Sequence, residues 1–332
     1  MPVRPGGLRL GGMLFLALKL LSGAGLQADP VSSASGATVL IVVGAQGAED
    51  YGKEFATSTD HWIKASEQGG AHSLVIGLGP TNETSDLVLL QQAITNEPVQ
   101  GPKELWLVLV GHGTFDGKDA KFNLRGPDLS ITNLAKWLKP FTRPMAIVDC
   151  SSSSAPFLHA LSGPNRVIVT ATRSGYEQNY SRFGPYLSEA IADPKADLDK
   201  DGQTSLLEAF LSASRRVSEF YESEGRLATE HSLIDDNGDG LGTPADWFRG
   251  VRATKTAKGG ATTDGARAHQ FHLVRSESEQ NLDPAVRAKR DELEVSLQRL
   301  RETKAKLPED EYYRQLETLL VGIAKLSATS GK

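Results

Sequence analysis

The sequence predicts an α/β protein: a three-layer sandwich with helices on both faces of a mainly parallel sheet, followed by a C-terminal α-helical hairpin. Three observations predict it. Short apolar runs rich in Val, Leu and Ile, bounded by Gly or Pro, recur between residues 37 and 170 and read as strands buried on both faces. Segments of helical periodicity alternate with them, the order that builds a parallel sheet. Near the C-terminus, Val286, Leu293, Leu300 and Leu307 recur every seven residues, with Leu297 between.

Taken in order, Ala37–Val43 is the first strand and Gly44-Ala45-Gln46-Gly47 a turn. A helical stretch carrying Tyr51, Phe55, Trp62 and Ile63 follows, then a strand at Ser73–Ile76 and a helix at Asp86–Ile94. Leu105–Val110 is the third strand, Ile131–Leu138 a helix, Met145–Asp149 the fourth strand. A helix at Ala155–Leu161 and a fifth strand, Arg166–Thr170, complete the alternation. The chain of 332 residues is long enough for one large domain and an accessory piece. The expected division is a main domain over 37–250, with an insertion at about 182–222, a linker or loop over 251–282, and the hairpin over 283–328. The linker reading rests on VRATKTAKGGATTDGARA, which is small, polar and rich in Gly and Thr. Asp283-Pro284 supplies an N-cap and first-turn pair for the hairpin, whose apolar stripes pack on each other, on the main domain, or on a second chain.

The N-terminus reads as a secretory signal peptide over residues 1–28. Arg4 and Arg9 precede the apolar run Met13–Leu18, and Ala28 offers a small residue at the cleavage point. A membrane anchor fits less well, because Lys19 interrupts a run shorter than the ~20 residues a span needs. The expectation is an exported protein, periplasmic or extracellular, off the membrane once the signal is removed. A net charge of −5 with no concentrated basic face argues against a nucleic-acid partner, and no motif points to an organic cofactor.

Two strands end in reactive side chains. Leu105–Val110 leads into Gly111-His112-Gly113, and Met145–Asp149 into Cys150, the only cysteine. Groups just past the carboxyl ends of parallel strands meet at one edge of the sheet, where ligands bind. One cysteine excludes an internal disulfide, and an odd thiol in an exported protein is an intermolecular partner or a functional group. A buried core cysteine is the alternative. The remaining histidines follow no metal-ligand spacing, and Ser151–Ser154 lacks the G-x-S-x-G elbow of a serine hydrolase.

These blocks carry a resemblance. LWLVLVGHG, MAIVDCS and VVGAQGAEDYGKEFA together resemble the legumain–caspase group of cysteine peptidases, most closely the legumain branch, over about Ala37 to Ala192. The resemblance implies a caspase-like fold and hydrolysis of peptide or protein substrates by a His112/Cys150 dyad. A thiolate attacks the scissile carbonyl and the imidazole protonates the departing amine. It further implies that backbone amides of Gly113 and Cys150 hold the oxyanion, and that Asp50, where legumains place an Asn, orients the histidine. Glu177, Gln178 and Asn179 are expected along the substrate cleft. Asp149 stands where the family has Ala or Ser, and Gly52 where legumains use an Arg to read Asn, so asparaginyl specificity does not carry over. The alternative is an inactive relative: the same fold serving as a calcium-dependent binding module.

Calcium enters through a second stretch, DLDKDGQTSLLEAF. Asp197, Asp199, Asp201, Gly202 and Glu208 fall at positions 1, 3, 5, 6 and 12 of an EF-hand loop, and Gln203 supplies a carbonyl. Oxygens at that spacing wrap one hard cation, and Glu208 closes the shell. A second acidic stretch, DDNGDGLGTPAD, puts Asp235, Asn237 and Asp239 at the same opening positions, with Asp246 at the twelfth. It reads equally as a second calcium loop or an Asx-rich turn. A structural role for Ca²⁺ is the inference.

Overall fold

The computed structural model describes residues 36–81, 83–260 and 262–330, with side chains described to residue 326. All of them belong to one compact unit, Ala34–Lys332. The expected signal peptide lies outside the described residues. Among those residues no helix is long and apolar enough to cross a membrane.

The elements follow the alternation read from the chain. They are β1 (Thr38–Val43), α1 (Glu49–Gln68), β2 (His72–Ile76), α2 (Asp86–Asn96) and β3 (Leu105–Val110). A three-stranded antiparallel ribbon follows: β4 (Gly113–Phe115), β5 (Ala120–Phe122) and β6 (Leu129–Ser130). Then come α3 (Ile131–Leu138), β7 (Met145–Asp149), α4 (Ala155–Leu161), β8 (Arg166–Thr170), α5 (Phe183–Ala190) and α6 (Leu206–Ser223). Two short strands, β9 (Leu233–Asp235) and β10 (Thr243–Pro244), were not legible in the sequence. They are too short to display an alternation.

One seven-stranded sheet runs β10-β9-β8-β7-β3-β1-β2. The pairs β2–β1, β1–β3, β3–β7 and β7–β8 are parallel, and β9 is antiparallel to β8. The strand period of two explains the layering. Val39, Ile41, Trp106, Val108, Ala146 and Val148 face a core completed by α1, α5 and α6. Leu40, Val42, Leu107, Leu109 and Ile147 face the opposite core with α2, α3 and α4. Near-continuous apolar strands follow directly from burial on both faces.

The chain closes with the hairpin β11 (Phe248–Arg249) and β12 (Arg252–Ala253), then α7 (Glu277–Gln280), α8 (Pro284–Glu302) and α9 (Glu309–Ser330). Asp283 caps α8 as expected, accepting from Ala285 and Val286 N–H at 2.7 and 3.3 Å. The helices pack on each other through Leu297, Leu300 and Tyr312. Segment 251–282, read as a linker from its composition, is built into the molecule. Ala253, Asp264, Ala268, Phe271, His272 and Leu273 are buried, and Phe271 O accepts from Leu206 N–H at 2.8 Å. Polar small residues hid this because their hydrogen bonds go to distant acids rather than to local structure.

Candidate active site

His112 and Cys150 follow the carboxyl ends of β3 and β7, which pair side by side with Leu109 opposite Asp149. Register alone therefore delivers an imidazole and a thiol to neighbouring points on one edge of the sheet. The turn after β7 packs against the turn after β3. A Cβ placed on Gly113 would lie 2.2 Å from Ser152 O, so only glycine allows this approach.

The imidazole sits in an aromatic enclosure. Tyr51 and Phe55 of α1 and Tyr180 of the loop after β8 surround it, with ring centroids 4.9, 5.2 and 5.9 Å away. Tyr180 is pinned to α1 by a short hydrogen bond to the Glu54 carboxylate. Burial lowers the affinity of His112 for its second proton, against a hydrogen bond from the ring to the Gln46 main chain. The ring is thus a neutral imidazole near pH 7.

Asp50 does not orient it. That carboxylate is 94% exposed in the first turn of α1 and reaches Lys53 at 3.6 Å. The main chain of Gln46 occupies the role expected of Asp50. The reason is helical phase: Tyr51 and Phe55 turn inward on α1, so Asp50 turns out.

Cys150 is 5% exposed and belongs to the core cluster under α5. Gly184, in the first turn of α5, lies directly against it; a Cβ there would come within 2.8 Å of Cys150 Cβ. Burial raises the thiol pKa strongly, and the nearby Asp149 charge adds to it. Asp149 is itself fully buried on the other side of β7, where burial pushes its carboxyl up to about 7. Its Oδ1 accepts from Ser151 N–H and Oγ at 3.0 and 2.6 Å, while Oδ2 has no partner.

Both amides expected to stabilise an oxyanion already donate within the protein. Gly113 N–H reaches Ser152 Oγ at 3.3 Å, and Cys150 N–H reaches Leu109 O at 3.0 Å. Ser152 Oγ in turn donates to Gly113 O at 3.1 Å. Ser151–Ser154 forms the buried turn into α4, as its position after the strand implies.

The three expected cleft residues lie on the loop after β8 with different duties. Glu177 holds His231, Oε1 to Nδ1 at 2.5 Å, and accepts from Arg173 and His231 N–H. Gln178 donates to Phe115 O at 3.1 Å, tying the loop to the β4–β6 ribbon. Asn179 is exposed.

At the opposite edge of the sheet lie the two acidic loops, and they match bond for bond. Position 1 accepts from positions 4 and 6: Asp197 from Lys200 and Gly202 (2.7 and 3.1 Å), Asp235 from Gly238 and Gly240 (3.0 and 2.9 Å). Position 3 accepts from position 5: Asp199 from Asp201 (3.2 Å), Asn237 from Asp239 (2.8 Å). Position 5 accepts from position 7: Asp201 from Gln203 (3.0 Å), Asp239 from Leu241 (2.8 Å). In the first loop Glu208 closes the ring, accepting from Leu198 and Asp199 N–H and from the Ser205 hydroxyl. In the second, Asp264 does the same for Asp236, Asn237 and the Thr243 hydroxyl. Positions 4 and 6 take positive φ in both loops.

Asp246, the twelfth residue of the second loop, does not close it; it lies in a short turn at Ala245–Trp247 beyond β10. Asp264 was invisible to sequence spacing because it comes from the presumed linker. Burial raises its pKa, and so does the charge of Asp236 beside it. The carboxylate oxygens of Asp197, Asp199 and Asp201 lie within 4.8 Å of one another, as do ligand atoms of Asp199, Glu208 and His269. Carboxylates this close repel unless a cation or proton lies between them. An oxygen-rich set with one bidentate-capable acid suits a hard cation such as Ca²⁺.

No protein-family model matches the chain, and no curated protein matches it. Among solved structures it is similar to the Drosophila initiator caspase Dronc at 15% identity and a TM-score of 0.40, over 62% of this chain and 80% of that one. Caspase-1 from Spodoptera frugiperda gives 11% identity and a TM-score of 0.39, over 60% of this chain and 86% of that one. Protein GSU0716 from Geobacter sulfurreducens gives 10% and 0.39, over 60% and 92%. Likenesses of this size transfer no chemistry to this chain.

Proposed function

We propose that the protein is an exported cysteine endopeptidase of the legumain–caspase type, here in a closed form, with Ca²⁺ held in its two acidic loops. The observation that carries the reading is the delivery of His112 and Cys150 to one edge by the pairing of β3 with β7. In the reaction, the neutral His112 imidazole takes the Cys150 thiol proton, the thiolate adds to the scissile carbonyl, and the imidazolium gives that proton to the amine as the C–N bond breaks. Water then releases the acyl group, with the imidazole as base.

Opening is required for this chemistry. The thiol must leave the cover of α5, Ser152 must release Gly113 N–H, and Tyr180 must swing from the imidazole. Each of these is a small loop or side-chain movement, the ordinary gating repertoire of enzymes. Calcium in the loops of Asp197, Asp199, Asp201, Gln203 and Glu208, and of Asp235, Asn237, Asp239 and Asp264, supports the scaffold. Its site lies at the other sheet edge, so its role is structural.

A second reading, a calcium-dependent binding module without activity, is favoured by one observation: both oxyanion amides are already bonded internally. The rate of Cys150 alkylation by iodoacetamide against pH separates the two. A peptidase, opened by substrate, gives a midpoint below ~8.5, the value of an ordinary thiol. A thiol that stays inert with calcium and a peptide library present points to the module.

A further inference from the structure

His112 and Cys150 are covered by one short stretch of chain. Tyr180 lies on the imidazole, its ring centroid 5.9 Å away, and Gly184 lies on the thiol, where an added Cβ would come within 3.5 Å of Sγ. The residues between these two covers, 181–183, are gripped by a single side chain from far along the sequence. Glu230, on the connection between α6 and β9, accepts from Ser181 Oγ at 2.6 Å, from Arg182 N–H at 2.9 and 3.0 Å, and from Phe183 N–H at 3.1 Å. Tyr221 of α6 donates to the same carboxylate at 3.3 Å and steadies it.

The grip has a local cause. Arg182 stands at the N-cap of α5, and its side chain makes no capping hydrogen bond. The first amides of the helix are therefore orphan donors, which a neighbouring acid can satisfy. A carboxylate there also meets the positive end of the helix dipole. Glu230 is 2% exposed, so these donors stand where water would otherwise solvate its charge. The next residue holds the same stretch in the opposite sense: His231 N–H and Nδ1 meet the Glu177 carboxylate at 3.1 and 2.5 Å.

We infer that Glu230 is a positioning residue of the site: its carboxylate fixes both covers at once, and so sets the fraction of molecules in which thiol and imidazole lie open to a substrate. It touches neither reacting group and acts through Tyr180 and Gly184. Its effect on cleavage rests on the peptidase reading. A site open in only a fraction of molecules binds its ligand more weakly by that fraction. Loosening the grip therefore lowers KM and raises kcat/KM, while the steps after binding keep their rate.

Alkylation of Cys150 by iodoacetamide at fixed pH, in the full chain and at urea concentrations below the unfolding transition, tests this with two variants. Glu230→Gln should speed alkylation by about tenfold or more, because hydrogen bonds to a charged group are lost. Ser181→Ala, which removes one of the donors, should speed it by less. Both rates should hardly change with urea, since a local movement uncovers little surface. A Glu230→Gln rate equal to wild type overturns the inference. So does a rate that climbs with urea in step with global unfolding, which would give Glu230 a part in general stability only. If Glu230→Gln fails to fold, Ser181→Ala carries the same comparison. In peptide-library cleavage Glu230→Gln should lower KM with kcat unchanged; a fall in kcat with KM unchanged overturns control by exposure and leaves the peptidase standing. If neither wild type nor variant cleaves any peptide, the peptidase reading falls, and the alkylation rates still decide whether Glu230 holds the cover.

Discussion

The two edges of the sheet are built on opposite plans. At the carboxyl edge, His112 and Cys150 are reactive groups held in check: the thiol lies under Gly184, the imidazole under Tyr180, and the Gly113 amide is bonded to Ser152. At the amino edge, the carboxylates of the first loop are gathered within 4.8 Å of one another, and in both loops main-chain amides turn to acids. Asp235 is beside Ile168 in the β8–β9 register, well back from the end of β8, which fixes its loop at that amino edge. The first edge needs something removed before it acts; the second needs a cation or protons added. On the proposed reading, a reaction site must open and close whereas a support site serves best when filled, and the two plans fit that difference.

The largest expected effect is at the carboxyl edge. Cys150→Ala should abolish peptide-library cleavage with the far-ultraviolet circular dichroism unchanged; cleavage that survives the substitution would remove the dyad assignment.

Next is a contrast in pH response between the edges. The Asp149 carboxyl keeps its proton to about 7 when folded and ionises near 3.8 when unfolded. Between those values the folded state binds more protons, so stability falls as pH rises, by about 4 kcal/mol over the window. Asp149→Asn should lessen that decline in urea midpoints measured from pH 4 to 8. His272, buried at the amino edge near Arg275, is pushed down to about 3, chiefly by burial. Its unfolded form gains a proton first, so its contribution is full above about 6.5 and is lost as pH falls toward 3. Asp264 at the amino edge, raised to about 8 by burial and by the charge of Asp236, adds a decline of the same sign, so the Asp149→Asn curve should be shallower than wild type rather than flat, and equal slopes would remove the Asp149 share.

Calcium should raise the melting temperature, since a ligand at 100 times its Kd adds about 2.7 kcal/mol. Asp264→Asn should remove one of two binding steps in calorimetry, and Glu208→Gln the other. If Asp264→Asn left both steps intact, the matching of the two loops would be only a turn geometry. The smallest effect is at Asp50: Asp50→Ala should change neither melting temperature nor alkylation rate, because its carboxylate faces solvent.

The chain's own pattern determined the alternation of strands and helices, because strands buried on both faces must be apolar throughout and helices must show one apolar stripe. It also determined the positions of His112, Cys150 and the first acidic loop, whose carboxylates are close enough in sequence for spacing to speak. Tertiary structure alone decided the rest. Asp264 reaches the second loop from a stretch with no local pattern, Gln46 replaces Asp50 through helical phase, and the aromatic enclosure of His112 joins residues 51, 55 and 180. Such contacts depend on where separated segments meet, and separation in sequence carries no period to read.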